Sequence, residues 1–301
     1  MRAWLLIGFI AAGAAWTEET DEPSPGYGGY RPIDAQRLSA QHVSRCGAEV
    51  LKMESVEWVH GESDHFVYHF EKGFLCPQFA AAAELFYGRI KDDLGIRENL
   101  YERKAHIFVF LGAKSWHEFS LKNKLENWTG SLHARGELYV QASANQRLDR
   151  SVYVPHELTH LIVQRFVGDI PLWLNEGMAE YEGRRQRFVY MRTHASGKIV
   201  VMAPNSVPRD GFIPLSELTG AVDYPSDEDK IKTFYIESEL LVHYLITKCG
   251  GTESFLKFVE LQGHGLSFAS ALGQVYGGKF PNVDLFESAF TKYGTTKNRP
   301  N

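Results

Sequence analysis

The hydrophobic pattern of the chain changes character near its middle. In the first half, short apolar or alternating runs predict strands: His65 to Phe70 (HFVYHF) alternates like a half-buried strand, Ile107 to Leu111 is a short apolar one, and Gly136 to Gln141 (GELYVQ) is a third. Between them, Pro77 to Leu94 has apolar residues at helical spacing, with proline at the start where its missing N–H costs least, and Ser115 to Lys122 also reads as helix. From about Asp149 helices dominate: Ser151 to Val167, Leu172 to Arg184 and Asp229 to Lys248, then shorter ones at Glu253 to Leu261, Phe268 to Val275 and Leu285 to Tyr293. Strands mixed with helices first and mostly helices afterwards predict an α+β fold. The stripe Leu240, Leu241, Tyr244, Leu245 reads as core.

The start of the chain is an address rather than a fold. Arg2, an apolar run from Ala3 to Ala12 and the small residues Gly13, Ala14 and Ala15 follow the order of a secretory signal over residues 1–15. The run is shorter than the roughly 20 residues of a spanning helix, so the mature protein is expected to be exported, periplasmic or extracellular, without stable membrane insertion. Residues 16–35, which include TEETDEPSPGYGGYRP, read as a flexible acidic leader rich in Pro and Gly. One domain is expected over 36–301, with a strand-rich part at 36–148 and a helical part at 149–301.

Composition narrows the classes. With 44% apolar and 23% charged residues in 301, the chain can bury a substantial core, which excludes disorder or coiled coil as a description of the whole. A net charge of -5 provides no basic footprint, so nucleic acid is not an expected partner. Three cysteines are too few for a disulfide scaffold; export permits one bridge, expected between Cys46 and Cys76 because both fall in the N-terminal half, with Cys249 buried and free.

The chemistry opens the helical half. VPHELTHLIV contains His156-Glu157-x-x-His160. On a helix, positions four apart stack on one face, so both imidazoles can reach one zinc ion at roughly 2.0–2.1 Å. Glu157 lies about 100° further round, beside the metal, where a general base can take a proton from an attacking water. A catalytic zinc needs a third protein ligand. Past His160, PLWLNEGMAEY opens a second helix that a short loop through Gly168, Asp169 and Ile170 can fold back on the first, with Glu176 sixteen residues beyond His160. Helical spacing does not separate Glu176 from Glu180 as the third ligand, since both lie on one face.

The pattern His156-Glu157-x-x-His160 followed by Trp173-Leu174-Asn175-Glu176-Gly177-Met178-Ala179-Glu180-Tyr181 resembles the gluzincin zinc metallopeptidases, above all the peptidase MA-like domains. That resemblance implies a zincin-like fold with the active-site helix between a strand-containing and a helical part. It makes Glu176 the third ligand of one Zn2+ and Glu180 a partner that orients a ligand histidine. Tyr235-Ile236-Glu237-Ser238 with Leu241-Val242-x-Tyr244-Leu245 is similar to the following helix of these domains, and implies that Tyr235 faces the metal and serves an oxyanion. The clear match covers about residues 150–250, with a looser one from Trp58 to Tyr139. The aminopeptidase branch carries Gly-x-Met-Glu-Asn upstream, which Gly130-Ser131-Leu132-His133-Ala134 does not match. An endopeptidase is therefore expected, with Gly136 to Gln141 as an edge strand for an extended peptide.

The expected function is a zinc-dependent hydrolase of peptide or protein substrates, and the alternative is a zinc-containing binding or scaffold module without turnover. Other features read as structural. His65 and His69 lack an acidic partner at ligand spacing, Gly183-Arg184-Arg185-Gln186-Arg187 reads as a solvated helix end, and His243 as packed or exposed. Asn127-Trp128-Thr129 fits a glycosylation acceptor. Oligomeric state has no signature in the sequence.

Overall fold

The computed structural model describes residues 4–7, 29–39, 42–97, 103–125, 129–142, 152–193, 202 and 205–295. Most of the expected signal and acidic leader lies outside the described residues. By internal contacts the chain forms two units, Met1–Arg89 with Arg97–Leu161, and Ile90–Ile96 with Ile162–Asn301.

The first unit is built on a mixed sheet. Its strands are β1 (Trp4–Ile7), β2 (Arg31–Pro32), β3 (Val59–Glu62), β4 (Phe66–Phe70), β5 (Ala105–Phe110), β6 (Thr129–Ala134) and β7 (Glu137–Gln141), in the order β1-β6-β7-β5-β4-β3-β2. β4, β5 and β7 run parallel; the other pairings are antiparallel. The folded region starts within the segment expected to be flexible, because Arg31 and Pro32 pair with Glu62 and Gly61 and Ile33 is buried.

Both faces of the central strands are covered, so the strand expected from HFVYHF is present as β4 but with all five residues buried rather than half-buried. Alternating polarity there places histidine inside rather than outside. One face packs on α2 (Arg45–Val50) and α4 (Ala113–Asn123), where Val50, Trp116 and Phe119 meet Phe108, Phe110 and Tyr139. The other packs on α3 (Cys76–Asp93), whose Phe79 and Tyr87 meet Tyr68, Phe70 and Phe66 edge-on. Burying a ring of this size is worth roughly 1.5–3 kcal/mol, so these aromatic layers dominate the unit's stability. Glu71 fixes the entry to α4 by accepting bonds from Leu111 N, Gly112 N and Ser115 Oγ, each at 2.7 Å. A short helix, α1 (Ala35–Ser39), precedes α2.

Two expectations fail here. Gly136 to Gln141 is not an edge strand: β7 lies between β5 and β6, and Leu138, Tyr139 and Val140 are all buried. All three cysteines are free. Cys46 on α2 approaches Asn123, whereas Cys76 begins α3 and shares a hydrogen bond with Tyr30, so the two thiols belong to different layers. Cys249 is half-buried rather than buried.

The helical region comprises α5 (Tyr153–Phe166), α6 (Leu172–Thr193), α7 (Leu215–Gly220), α8 (Glu228–Tyr244), α9 (Gly251–Gly263), α10 (Phe268–Tyr276) and α11 (Val283–Thr295), with a π-helical turn at Leu245–Gly250 after α8. Asp227 caps α8 by accepting from Lys230 N at 3.0 Å, and Glu228 and Asp229 follow in the first turn, where carboxylates suit the helix dipole. α6 and α8 touch backbone to backbone. A Cβ on Gly177 would lie 2.4 Å from the Ser238 carbonyl oxygen, so only glycine fits. The stripe Leu240, Leu241, Tyr244, Leu245 is core as expected.

α6 runs nine residues past the expected end at Arg184, which corrects the basic run from a solvated terminus to a mid-helix segment. Arg184 pairs with Glu239, and Arg185 with Asp93. Partners distant in sequence hold these charges at half-buried positions, so helix-end electrostatics has no part in them.

Candidate metal centre

His156 and His160 lie on one face of α5, with their Nε2 atoms 3.0 Å apart. Two nitrogens at 2.0–2.1 Å from one zinc in tetrahedral geometry stand roughly 3.3 Å apart, so the pair needs almost no adjustment to share an ion. A carboxylate oxygen of Glu176, in the first turns of α6, completes a group whose ligand atoms all lie within 4.8 Å of one another; it is the group of this kind found among the described residues. All three side chains are buried, and Glu176 is 0% exposed. Two imidazoles and a carboxylate form a donor set that fits zinc.

The local structure explains the convergence. Apolar neighbours Leu158, Leu161, Ile162 and Val163 bury the remaining faces of α5, and Thr159 returns its hydroxyl to the Pro155 carbonyl at 2.8 Å. Gly168, with φ of +97°, lets the chain leave α5 in a left-handed turn before α6. Trp173, fully buried against Phe258 and Phe268, and the close approach at Gly177 fix the register of α6 on either side of Glu176.

Glu157, the residue expected to act as base, is 1% exposed and lies on the helix that carries both histidines. Glu180 is half-buried and outside the convergent group; its charge contributes to the raised pKa values of Glu239 and Tyr235. Tyr235 is buried, and its phenol is held well above the usual range by burial first and by the nearby charge of Glu176 second.

Sequence reasoning missed Tyr224. Its hydroxyl donates to Glu176 Oε1 at 2.7 Å, and its ring stacks on Tyr235 with centroids 5.9 Å apart. The two phenols share a hydrogen bond, so Tyr235 stands one step behind Tyr224. A tyrosine in the Asp-Tyr-Pro-Ser-Asp turn before α8 has no periodic partner, and nothing in the pattern could have singled it out. His133 was passed over as well: on β6 and 2% exposed, its ring lies roughly parallel to that of His160 at 6.2 Å.

The other histidines that the sequence singled out, His65, His69 and His243, have partners within the fold, though not for the reason expected. His65 does have an acidic partner, Glu84 on α3, at 2.6 Å, which spacing along β4 cannot show. His69 is fully buried, with Nδ1 3.0 Å from His60 Nδ1 and Nε2 2.8 Å from His106 Nδ1. His243 packs beneath Tyr293, whose hydroxyl is 2.8 Å from its Nδ1. Of the glycosylation triplet, Asn127 and Trp128 lie outside the described residues, and Thr129 is buried.

No family model matches the chain, and no curated protein does. Among solved structures, one of native yeast LTA4 hydrolase is similar to it at a TM-score of 0.48 and 14% sequence identity. The match covers 81% of this chain and 40% of that one, so the chain spans about two-fifths of that protein's length.

Proposed function

We propose that the chain is a zinc-dependent hydrolase that cleaves peptide bonds inside peptide or protein substrates, and that it acts after export. The observation that carries this reading is the convergence of His156, His160 and Glu176 within 4.8 Å, with the carboxylate of Glu157 buried one residue from the first histidine.

A bound zinc supplies Lewis acidity, which polarises both a water and the scissile carbonyl. The rest falls to the chain. His156, His160 and Glu176 hold the ion, and Tyr224 fixes the rotamer of Glu176 through its hydrogen bond. Glu157 takes a proton from the attacking water and returns it to the leaving amine, the two halves of general acid–base catalysis by one carboxyl group. Tyr235 is the phenol assigned to the charge that develops on the carbonyl oxygen, with Tyr224 holding Glu176 beside it. Glu180 is assigned a supporting role near the ligands. Export rests on the order of charged, apolar and small residues in 1–15, a segment whose Trp4–Ile7 pairs with β6 before any removal; no helix among the described residues is long and apolar enough to cross a membrane.

The test is metal content and peptide cleavage for the natural protein and Glu157→Gln. One ion per chain in both, with turnover only in the first, supports the proposal, whereas equal cleavage by the two removes Glu157 as base and the reading with it. Bound metal with no hydrolysis of a broad peptide pool by either protein selects the binding-module alternative.

A further inference from the structure

Away from the candidate metal centre, the helical unit holds a cavity of about 220 Å3, lined by the apolar Met178, Val242, Phe255 and Leu256 and by the charged Asp93, Glu182 and Arg185. Engineered apolar cavities of roughly 150 Å3 already admit benzene, so this one has room for a somewhat larger molecule. Asp92 and Thr252 also line it and are exposed, which connects it to solvent.

Asp93 and Glu182 share a single guanidinium, that of Arg185. Arg185 grips Asp93 with two nitrogens, Nε at 2.7 Å and Nη2, and so is committed to that carboxylate. Glu182, 4% exposed, lies 4.0 Å from Arg185 Nε. Gln186 ties the carboxylates together, its Nε2 at 3.3 Å from Asp93 Oδ2 and 3.2 Å from Glu182 Oε2. The Oε1 of that carboxamide is buried and accepts no hydrogen bond, although Gln186 is only 1% exposed. Two carboxylates and one guanidinium thus line the cavity together, while Gln186 bonds both carboxylates without lining it. The other groups facing Glu182 are Tyr181 and Asp92; α8 and α9 bring only uncharged residues to the cavity.

We propose that this cavity is a binding site for a small organic cation, a primary amine carrying a short apolar tail, with the ammonium at Glu182 and the tail against Met178, Val242 and Phe255. The ammonium supplies a second positive charge and hydrogen-bond donors, and the tail supplies the burial that makes so small a ligand bind. Burial and the neighbouring Asp93 push the Glu182 carboxyl up to about 8, so near neutrality the empty site holds a proton that the amine displaces. The site is independent of the hydrolase reading, since none of its lining residues belongs to the metal group.

The experiment is calorimetric titration of the full, zinc-loaded protein with n-pentylamine and with n-pentanol, at pH 6.5 and 8.5. Expected is saturable amine binding that tightens by about tenfold or more from pH 6.5 to 8.5, as a group titrating near 8 ionises, while binding of the alcohol is pH-independent. Glu182→Gln, close to isosteric and expected to fold, should abolish the amine's advantage and its pH dependence and leave the alcohol unchanged. Leu256→Trp should exclude both ligands by filling the cavity. Equal affinity for amine and alcohol, amine binding that survives Glu182→Gln, or no saturable amine binding by the natural protein would each overturn the proposal. The wild-type pH series decides the matter even if a variant fails to fold.

Discussion

Two groups of histidines in this protein use the same atoms to opposite ends. His156 and His160, one helical turn apart, aim Nε2 atoms at a common point, and Glu176 arrives there from the next helix. His60, His69 and His106 come from three neighbouring strands and aim at each other in series, so that both nitrogens of His69 are spent on its neighbours. The direction of the series can be worked out. His106 bonds the backbone carbonyl of His42, which can only accept, so its other nitrogen donates there and its Nδ1 must accept from His69 Nε2–H. His69 Nδ1 then accepts from His60 Nδ1–H. In this arrangement both nitrogens of His69 and of His106 are paired with the rings neutral, and the charge of Glu137 acts on His106 from nearby. What separates a metal centre from a structural array is the convergence of lone pairs, and neither the number of histidines nor their separation along the chain reports it.

That contrast can be broken most sharply at the base. Glu157→Gln should cut peptide hydrolysis by about 10²–10⁴-fold, the usual contribution of a positioned general base, with the zinc content unchanged. Next, Glu176→Gln should lower zinc retention through dialysis while His69→Phe leaves one ion per chain; loss of zinc from His69→Phe would make the His60–His69–His106 series part of a metal site. Both are read by elemental analysis.

Acid should act on the series first. Burial lowers the pKa of all three imidazoles, that of His106 to about 4 against an ordinary 6.5, and like-charge repulsion among them lowers that of His69 further. Below pH 6.5 the unfolded chain therefore binds protons that the folded chain refuses, so stability falls as pH drops from 6.5 towards 4. The shift at His106 alone corresponds to about 3 kcal/mol at 1.36 kcal/mol per unit, fully lost below pH 4. Urea midpoints at pH 7.5, 6 and 5 check this; a flat profile would mean the array is charged or solvated. The smallest effect is expected from Tyr224→Phe. Removing its bond to Glu176 should weaken zinc binding by roughly tenfold, in the range of losses at groups that orient a ligand, and change folding stability by about 1 kcal/mol.

Local periodicity decided what could be read in advance. The two histidines four apart, the glutamate beside them, the following helix with Glu176 and most helices of the second half are consequences of a 3.6-residue repeat within a few turns, and the structure has the helices that carry them. Tertiary structure alone decided the rest, because each remaining feature joins residues far apart in the chain. Strand order put β7 inside the sheet rather than at its edge, and layer assignment kept Cys46 from Cys76. Distant carboxylates claimed Arg184 and Arg185, and a turn before α8 delivered Tyr224 to Glu176. A repeat along one helix is written in neighbouring residues, whereas a contact between elements depends on how every intervening segment packs.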